Sequence, residues 1–198
     1  MMVLDIENLK DAKITLTLIF INIFLFIFTS FAPPEIFQAL VQDNRRILEN
    51  YEIWRLFTSI FIHADPLHLF SNMIALLLFG ATVEINHNIT RFQYIFVYIA
   101  SGLIGSIFSL LLIPLISNID VISLGASGAI FGLIGVAFII VAIEYRPLLF
   151  LALFYIGFFI LTSFSPGINY LAHIFGLIGG ILFGYLFYMR KRKIQYDY

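Results

Sequence analysis

Residues 147–189 read PLLFLALFYIGFFILTSFSPGINYLAHIFGLIGGILFGYLFYM, and these 43 positions contain no Asp, Glu, Lys or Arg. A membrane helix needs about 20 predominantly apolar residues, so the run is too long for one helix. It is interrupted by the turn-forming cluster Ser163-Phe164-Ser165-Pro166-Gly167. The stretch therefore predicts two membrane spans, over 147–163 and 169–189.

The remainder of the chain repeats this pattern. Four further runs without charged residues cover 14–34, 66–83, 92–119 and 121–143, and each reaches about 18 residues or more. In all, the sequence predicts six spans, over 14–32, 67–85, 92–115, 124–143, 147–163 and 169–189. Ser30-Phe31-Ala32 mimics a signal-peptide cleavage site, but the preceding apolar stretch exceeds the roughly 7–15 residues of a signal h-region. We therefore expect the first span to be retained.

The composition excludes several classes of protein. Apolar residues form 61% of the 198-residue chain and charged residues 12%, and the mean hydropathy is +1.00; a soluble domain has roughly 45–50% and about 25%. Aromatic residues, at 17%, exclude disorder. The absence of cysteine excludes disulfides and thiolate metal sites, and a net charge of −1 offers no basic field for nucleic acid. We expect an all-α polytopic membrane protein forming one domain over 1–198.

The placement of Lys and Arg predicts the orientation. With six spans, eight of these residues share the side of the two termini, and three lie on the other side. Cytoplasmic segments carry the excess, so we expect a plasma-membrane protein with both termini cytoplasmic. The long loop 33–66 would then face outward. Its charged and apolar residues fit either a segment lying in the membrane interface or a covering loop with one anchoring tryptophan, Trp54.

Four polar residues fall where lipid is expected: His68 and Asn72 in span two, Ser127 in span four and His173 in span six. Singly, such a serine bonds to its own helix, and such a histidine or asparagine joins helices. Spans two, four and six all enter from the outer side, so these residues share one depth, with Asn72 one turn below His68. Polar groups inside spans indicate function, and we expect one polar layer.

Serine-based hydrolysis explains this set. A serine hydroxyl needs a base to take its proton, which predicts Ser127 as nucleophile and His173 as general base. Donors for the resulting oxyanion would be His68, Asn72 and the backbone N–H of Ser127. Because no Asp or Glu lies in a span at this depth, the sequence supports a dyad. Neither a cofactor nor a metal is expected.

Glycines accompany both catalytic candidates. Gly125 and Gly128 flank Ser127, and His173 is followed by Gly176 and Gly180, which are four residues apart. Small residues at such spacings let helix backbones approach closely. A Ser–His hydrogen bond requires such an approach.

These residues resemble the rhomboid family of intramembrane serine proteases, in its minimal six-span prokaryotic form. The resemblance runs from about residue 54 to 185. Its matching pieces are Trp54-Arg55, His63, His68-x-x-x-Asn72, Gly80, Glu84, Gly125-x-Ser127-Gly128 and Ala172-His173-x-x-Gly176-x-x-x-Gly180.

The resemblance implies a six-helix bundle with an interfacial first loop that cleaves single-span or polytopic membrane proteins in the lipid bilayer. It assigns Ser127 and His173 to catalysis, and His68 and Asn72 to the oxyanion hole. The segment 163–170 and span five resemble the family's substrate gate. One departure is Phe131, at a position that is often tyrosine in the family, where a ring would pack on His173.

Two other functions would also place polar residues in membrane spans. A catalytically silent rhomboid-like protein that binds membrane clients would be expected to lack Ser127 or His173, and both are present. A small transporter would place polar groups along a path through the membrane, with repeats of inverted topology. Here the polar groups stop in the outer layer, and no such repeat is evident. The physiological substrate and the oligomeric state stay open.

Overall fold

The computed structural model describes residues 9–86, 88–116, 119–165 and 167–196, with side chains up to residue 190. Its helices are α1 (Lys13–Phe31), α2 (Pro34–Leu40), α3 (Asn44–Asn50), α4 (Arg55–Thr58), α5 (Pro66–Ala75), α6 (Ala81–Ile85), α7 (Arg91–Ile116), α8 (Ser127–Glu144), α9 (Leu149–Thr162) and α10 (Tyr170–Tyr196). Short 3₁₀ segments occupy Ser59–Phe61 and Arg146–Leu148, and a π-helical turn, Leu76–Gly80, joins α5 to α6. Two-residue strands β1 (Gln42–Asp43) and β2 (Ile122–Ser123) pair antiparallel, with Gln42 opposite Ser123.

Five helical stretches among the described residues are long and apolar enough to cross a membrane: Lys13–Phe31, Pro66–Ile85, Arg91–Ile116, Ser127–Glu144 and Tyr170–Arg190. A sixth apolar helix, Arg146–Thr162, is shorter. The prediction of an all-α polytopic membrane protein is therefore confirmed, whereas the count of six spans stays a prediction. Three of the eight Lys and Arg residues on the side of the termini, Lys191, Arg192 and Lys193, lie beyond the described side chains.

Helix α8 forms the centre of the bundle. Twelve of its 18 residues are buried, whereas no residue of α9 is buried. Helices α7 and α10 pack on α8 through small residues. A Cβ on Gly132 would lie 2.2 Å from Ser101 Cβ, and one on Gly135 would lie 2.6 Å from the backbone nitrogen of Ile181. The backbones are therefore too close for side chains at these positions.

Carboxylates accept hydrogen bonds from the first turns of α1 and α5. The first turn of α1 has no cap of its own; instead Glu84 accepts hydrogen bonds from Ile14 N at 2.8 Å and from Thr15 N at 2.7 Å. Helix α5 begins with Pro66, and the preceding Asp65 accepts from His68 N at 2.9 Å. Orphan N–H groups at a helix start need such partners, above all near lipid. Asp65 thereby fixes the turn that carries His68.

The segment 33–66 folds around one buried arginine. Arg55 is 1% exposed; its guanidinium pairs with Glu52 and donates to the carbonyls of Gln38 and Val41. Apolar side chains on this segment remain exposed, namely Ile36, Leu48, Tyr51, Ile53, Trp54 and Phe57. Exposed apolar residues beside buried polar anchors suit the membrane interface. The interfacial placement of the loop stays a prediction that this pattern supports.

Candidate active site

Three helices begin at one place, and each carries one candidate side chain in its first turn. Ser127 is the first residue of α8, and His68 and His173 lie in the first turns of α5 and α10. Gly125, just before α8, has φ of +119°, a conformation that L side chains rarely adopt. Its N–H donates to the carbonyl of Ser59 at 2.9 Å. This glycine turn aims the start of α8 at the other two helices.

The structure brings Ser127 and His173 into direct contact. Ser127 Oγ lies 2.7 Å from His173 Nε2, which is hydrogen-bonding distance. The ring of Phe131 stacks on the imidazole, with centroids 4.4 Å apart and planes 13° from parallel. His173 itself is 8% exposed. The imidazole is therefore held from one face and at Nε2.

The other imidazole nitrogen has a partner that the sequence reasoning missed. Ser163 Oγ lies 2.7 Å from His173 Nδ1 and also donates to the carbonyl of Phe159 at 2.7 Å. In the sequence, Ser163 belongs to the turn cluster after span five, and no spacing relates it to His173. Only the packing of α9 against the start of α10 reveals the contact.

His68 occupies the space that Gly125 leaves open. A Cβ on Gly125 would lie 2.8 Å from His68 Nε2 and 3.9 Å from Ser127 Oγ. The imidazole of His68 therefore lies against the backbone just before Ser127. Any side chain at Gly125 would displace it.

Asn72 is placed differently. It is buried, and its Nδ2 donates to the backbone carbonyl of His68, one turn earlier, at 2.9 Å. An amide NH₂ has two donors, so one N–H remains. The described contacts do not bring the Asn72 side chain to Ser127 or His173.

The glycines set the spacing of α8 and α10. A Cβ on Gly176 would lie 2.2 Å from the carbonyl oxygen of Gly128, and one on Gly180 would lie 1.9 Å from that of Gly132. A Cβ on Gly128 would lie 3.4 Å from the carbonyl oxygen of Ala172. The two helices therefore touch backbone to backbone directly below the Ser127–His173 pair.

Three supporting candidates lie outside the contact between Ser127 and His173. Trp54 is half exposed and donates to the carbonyl of Ala39 at 3.3 Å, and Arg55 anchors the loop as described. His63 is 1% exposed, and its ring centroid lies 5.1 Å from that of His68. Burial lowers the pKa of His63 from its ordinary 6.5 to about 4, and the neighbouring His68 adds to this shift. His63 therefore packs as a neutral imidazole behind His68.

A further polar contact, also missed from the sequence, fixes the start of α10. The side chain of Asn169 donates to Ser109 Oγ at 2.5 Å and to Ser123 Oγ at 2.8 Å, and its oxygen accepts from Ala172 N at 3.1 Å. Asn169 thus ties α7 and β2 to the turn that carries His173. Among the described residues, no group of three or more His, Cys, Asp or Glu side chains is arranged to hold a metal ion.

Comparison with known proteins agrees with these motifs. The family model for the Rhomboid domain matches residues 50–190. "Putative rhomboid protease YdcA" from Bacillus subtilis is 36% identical over 152 residues, covering 73% of this chain and 72% of that protein. RHOMBOID-like protein 1 from Arabidopsis thaliana is 34% identical over 163 residues, or 79% of this chain and 39% of that protein.

One similar protein is named as inactive. Inactive RHOMBOID-like protein 8 from Arabidopsis thaliana is 41% identical over 91 residues, covering 46% of this chain and 24% of that protein. This chain spans less than half the length of either plant relative. The family match from 50 to 190 nevertheless covers more than half of this chain and includes His68, Ser127 and His173, and the chain therefore belongs to the rhomboid family.

Proposed function

We propose that this protein is an intramembrane serine endopeptidase that cleaves other membrane proteins with Ser127 and His173. The observation that carries the proposal is the 2.7 Å contact between Ser127 Oγ and His173 Nε2. A hydroxyl bonded to an imidazole that is itself held in place is the arrangement that activates a serine nucleophile. The family and the name of the Bacillus relative support the same reaction.

In the proposed reaction, His173 Nε2 takes the proton of Ser127 while Ser127 Oγ attacks the carbonyl carbon of the scissile peptide bond. His173 then gives that proton to the leaving amine, and an acyl-enzyme on Ser127 remains. Water, deprotonated by His173, hydrolyses the ester and restores the hydroxyl. The proton transfers in these steps use only Ser127, His173 and water.

The tetrahedral intermediate needs donors aimed at its oxyanion. Ser127 begins α8, and first-turn amides have no carbonyl partner within their helix. The N–H of Ser127 is therefore the primary donor of this proposal, aided by the positive end of the helix dipole. His68 Nε2, packed against Gly125, is the second donor, and the remaining N–H of Asn72 is the third.

The substrates proposed are single-span or polytopic membrane proteins within the bilayer. The excess of Lys and Arg near the termini supports a plasma-membrane protein with cytoplasmic termini and a site that opens outward. A reporter fused after Tyr198 should then behave as cytoplasmic, and one inserted near Asn44 as external. The reverse pattern would contradict the orientation.

The alternative is a catalytically silent member of the family that binds membrane clients. The similarity to a relative named inactive supports this alternative. The intact contact between Ser127 and His173 argues against it, because a silent protein has no need to hold the imidazole on the serine.

Co-expression with a panel of single-span membrane proteins separates the two functions. The parent chain should cleave at least one of them, and Ser127→Ala should abolish cleavage while the protein still inserts. Ser71→Ala is the matched control, because Ser71 also lies in a predicted span but only bonds to its own helix at Leu67. Full cleavage by Ser127→Ala would exclude the mechanism, and a parent that binds clients without cleaving them would favour the silent protein.

A further inference from the structure

We propose that Ser163 is a positioning residue for the catalytic base: its hydroxyl oxygen accepts a hydrogen bond from His173 Nδ1–H and thereby holds the imidazole in the tautomer that catalysis requires. This inference rests on the proposed function of Ser127 and His173. It completes the pair with a third, uncharged member that the sequence did not predict.

The direction of each hydrogen bond follows from the chemistry of the base. To take a proton from Ser127, Nε2 must be unprotonated, so the proton of the neutral ring lies on Nδ1. Nδ1–H then donates to Ser163 Oγ across 2.7 Å, and the Ser163 hydroxyl donates to the carbonyl of Phe159 across 2.7 Å. Every donor in this series of hydrogen bonds then has an acceptor. The opposite tautomer would leave Ser127 facing an N–H.

The surroundings of Ser163 distinguish it from an ordinary helix-end serine. Serines at helix ends commonly bond to a carbonyl of the preceding turn, and Thr162 does this to the same carbonyl of Phe159 at 2.9 Å. Thr162 is exposed, however, whereas Ser163 is 2% exposed and follows a helix with no buried residue. A capping bond alone does not explain the burial of this one hydroxyl against His173.

Comparison of Ser163→Ala with Thr162→Ala tests the assignment. Both variants remove a hydroxyl that bonds to Phe159, but only Ser163→Ala removes the acceptor of Nδ1–H. We expect Ser163→Ala to lower kcat about 10-fold per folded molecule, the factor expected for one hydrogen bond, with KM nearly unchanged. The labelling rate of Ser127 with a fluorophosphonate should fall by a similar factor. Thr162→Ala should keep both rates.

A second pair of variants keeps the test valid if alanine unfolds the protein. Ser163→Thr and Ser163→Val have nearly the same shape and differ in the hydroxyl, so threonine should retain more activity per folded molecule than valine. Equal rates in this pair, or a Ser163→Ala variant that loses thermal stability but keeps its kcat, would overturn the positioning role. A parent chain that neither cleaves nor reacts with the fluorophosphonate would instead refute the proposed function, and the inference with it.

Discussion

The variant Gly176→Ala tests whether the close approach of α8 and α10 sets the catalytic geometry. A Cβ at Gly176 lies 2.2 Å from the carbonyl oxygen of Gly128, whereas ordinary contact begins at 3.4 Å. The helices must therefore separate locally by about 1.2 Å. Because Gly128 follows Ser127 and Gly176 lies one turn after His173, this shift acts directly on their 2.7 Å contact.

Full transmission of the shift would open the Ser127–His173 contact to about 3.9 Å, beyond hydrogen-bonding distance. A misplacement of this size costs about 10²-fold in rate, so we expect kcat to fall by about that factor. Overpacking costs about 1–3 kcal/mol, and the gain in helix propensity from glycine to alanine offsets about 1 kcal/mol. The net loss of stability should thus be about 0–2 kcal/mol, and the protein should remain folded.

The assay measures kcat, KM and thermal unfolding of the purified protein with one cleavable membrane substrate. Gly179→Ala is the control on the same helix, since its Cβ would first meet the side-chain end of Ile104 at 3.2 Å, which can move. Gly179→Ala should keep its kcat and gain stability. A Gly176→Ala protein with the parent kcat would refute the view that this backbone contact sets the Ser–His distance.

Three further predictions concern Phe131, Glu84 and His63. Phe131→Tyr should keep most activity and Phe131→Ala should lose much more, because the stacked ring supports His173; equal kcat in Phe131→Ala and the parent would contradict this. Glu84→Ala should lower the free energy of unfolding by roughly 3 kcal/mol, because two backbone amides and the Thr15 hydroxyl lose the carboxylate as acceptor. Glu84→Gln should lose less stability. An unchanged melting temperature in Glu84→Ala would contradict this prediction. The pKa of His63 is about 4 in the folded protein and 6.5 in the unfolded chain. Below about pH 6.5 the unfolded chain therefore binds more protons at this residue. The contribution of His63 to the free energy of unfolding should be complete above that pH and about 2 kcal/mol lower at pH 5. His63→Leu should lose this component, and an identical pH dependence in both proteins would refute it.

The positions of the apolar helices could be predicted from the sequence, because charged residues are costly in lipid and therefore delimit the spans. The second predicted span, 67–85, matches the helical stretch Pro66–Ile85 closely. The third, 92–115, lies within Arg91–Ile116. The sequence did not indicate the π-helical turn at Leu76–Gly80. Nor did it indicate the short strand pair, because that pair joins segments that are distant in the sequence.

The pairing of Ser127 with His173 was also expected, because both residues open glycine-bearing helices that enter from the same side. Ser163 and Asn169 were not expected, although both make hydrogen bonds at the site. They lie in a connection between two helices, where no periodicity relates a side chain to a partner. A polar residue in a turn is ordinarily solvated, and only the folded arrangement distinguishes one that is buried against a functional group.

The neutral character of Ser163 follows from the location of the site. A carboxylate beside His173 would orient the imidazole more strongly. In a Ser-His-Asp triad, replacing the Asp by Asn lowers kcat about 10⁴-fold. Near lipid, however, a buried carboxylate carries a large desolvation penalty unless it is paired. A hydroxyl whose own proton is bound to the Phe159 carbonyl can accept from Nδ1–H without burying a charge. The weaker acceptor explains why we expect Ser163→Ala to lower kcat only about 10-fold: an uncharged positioning residue contributes less to orientation but is compatible with an apolar site.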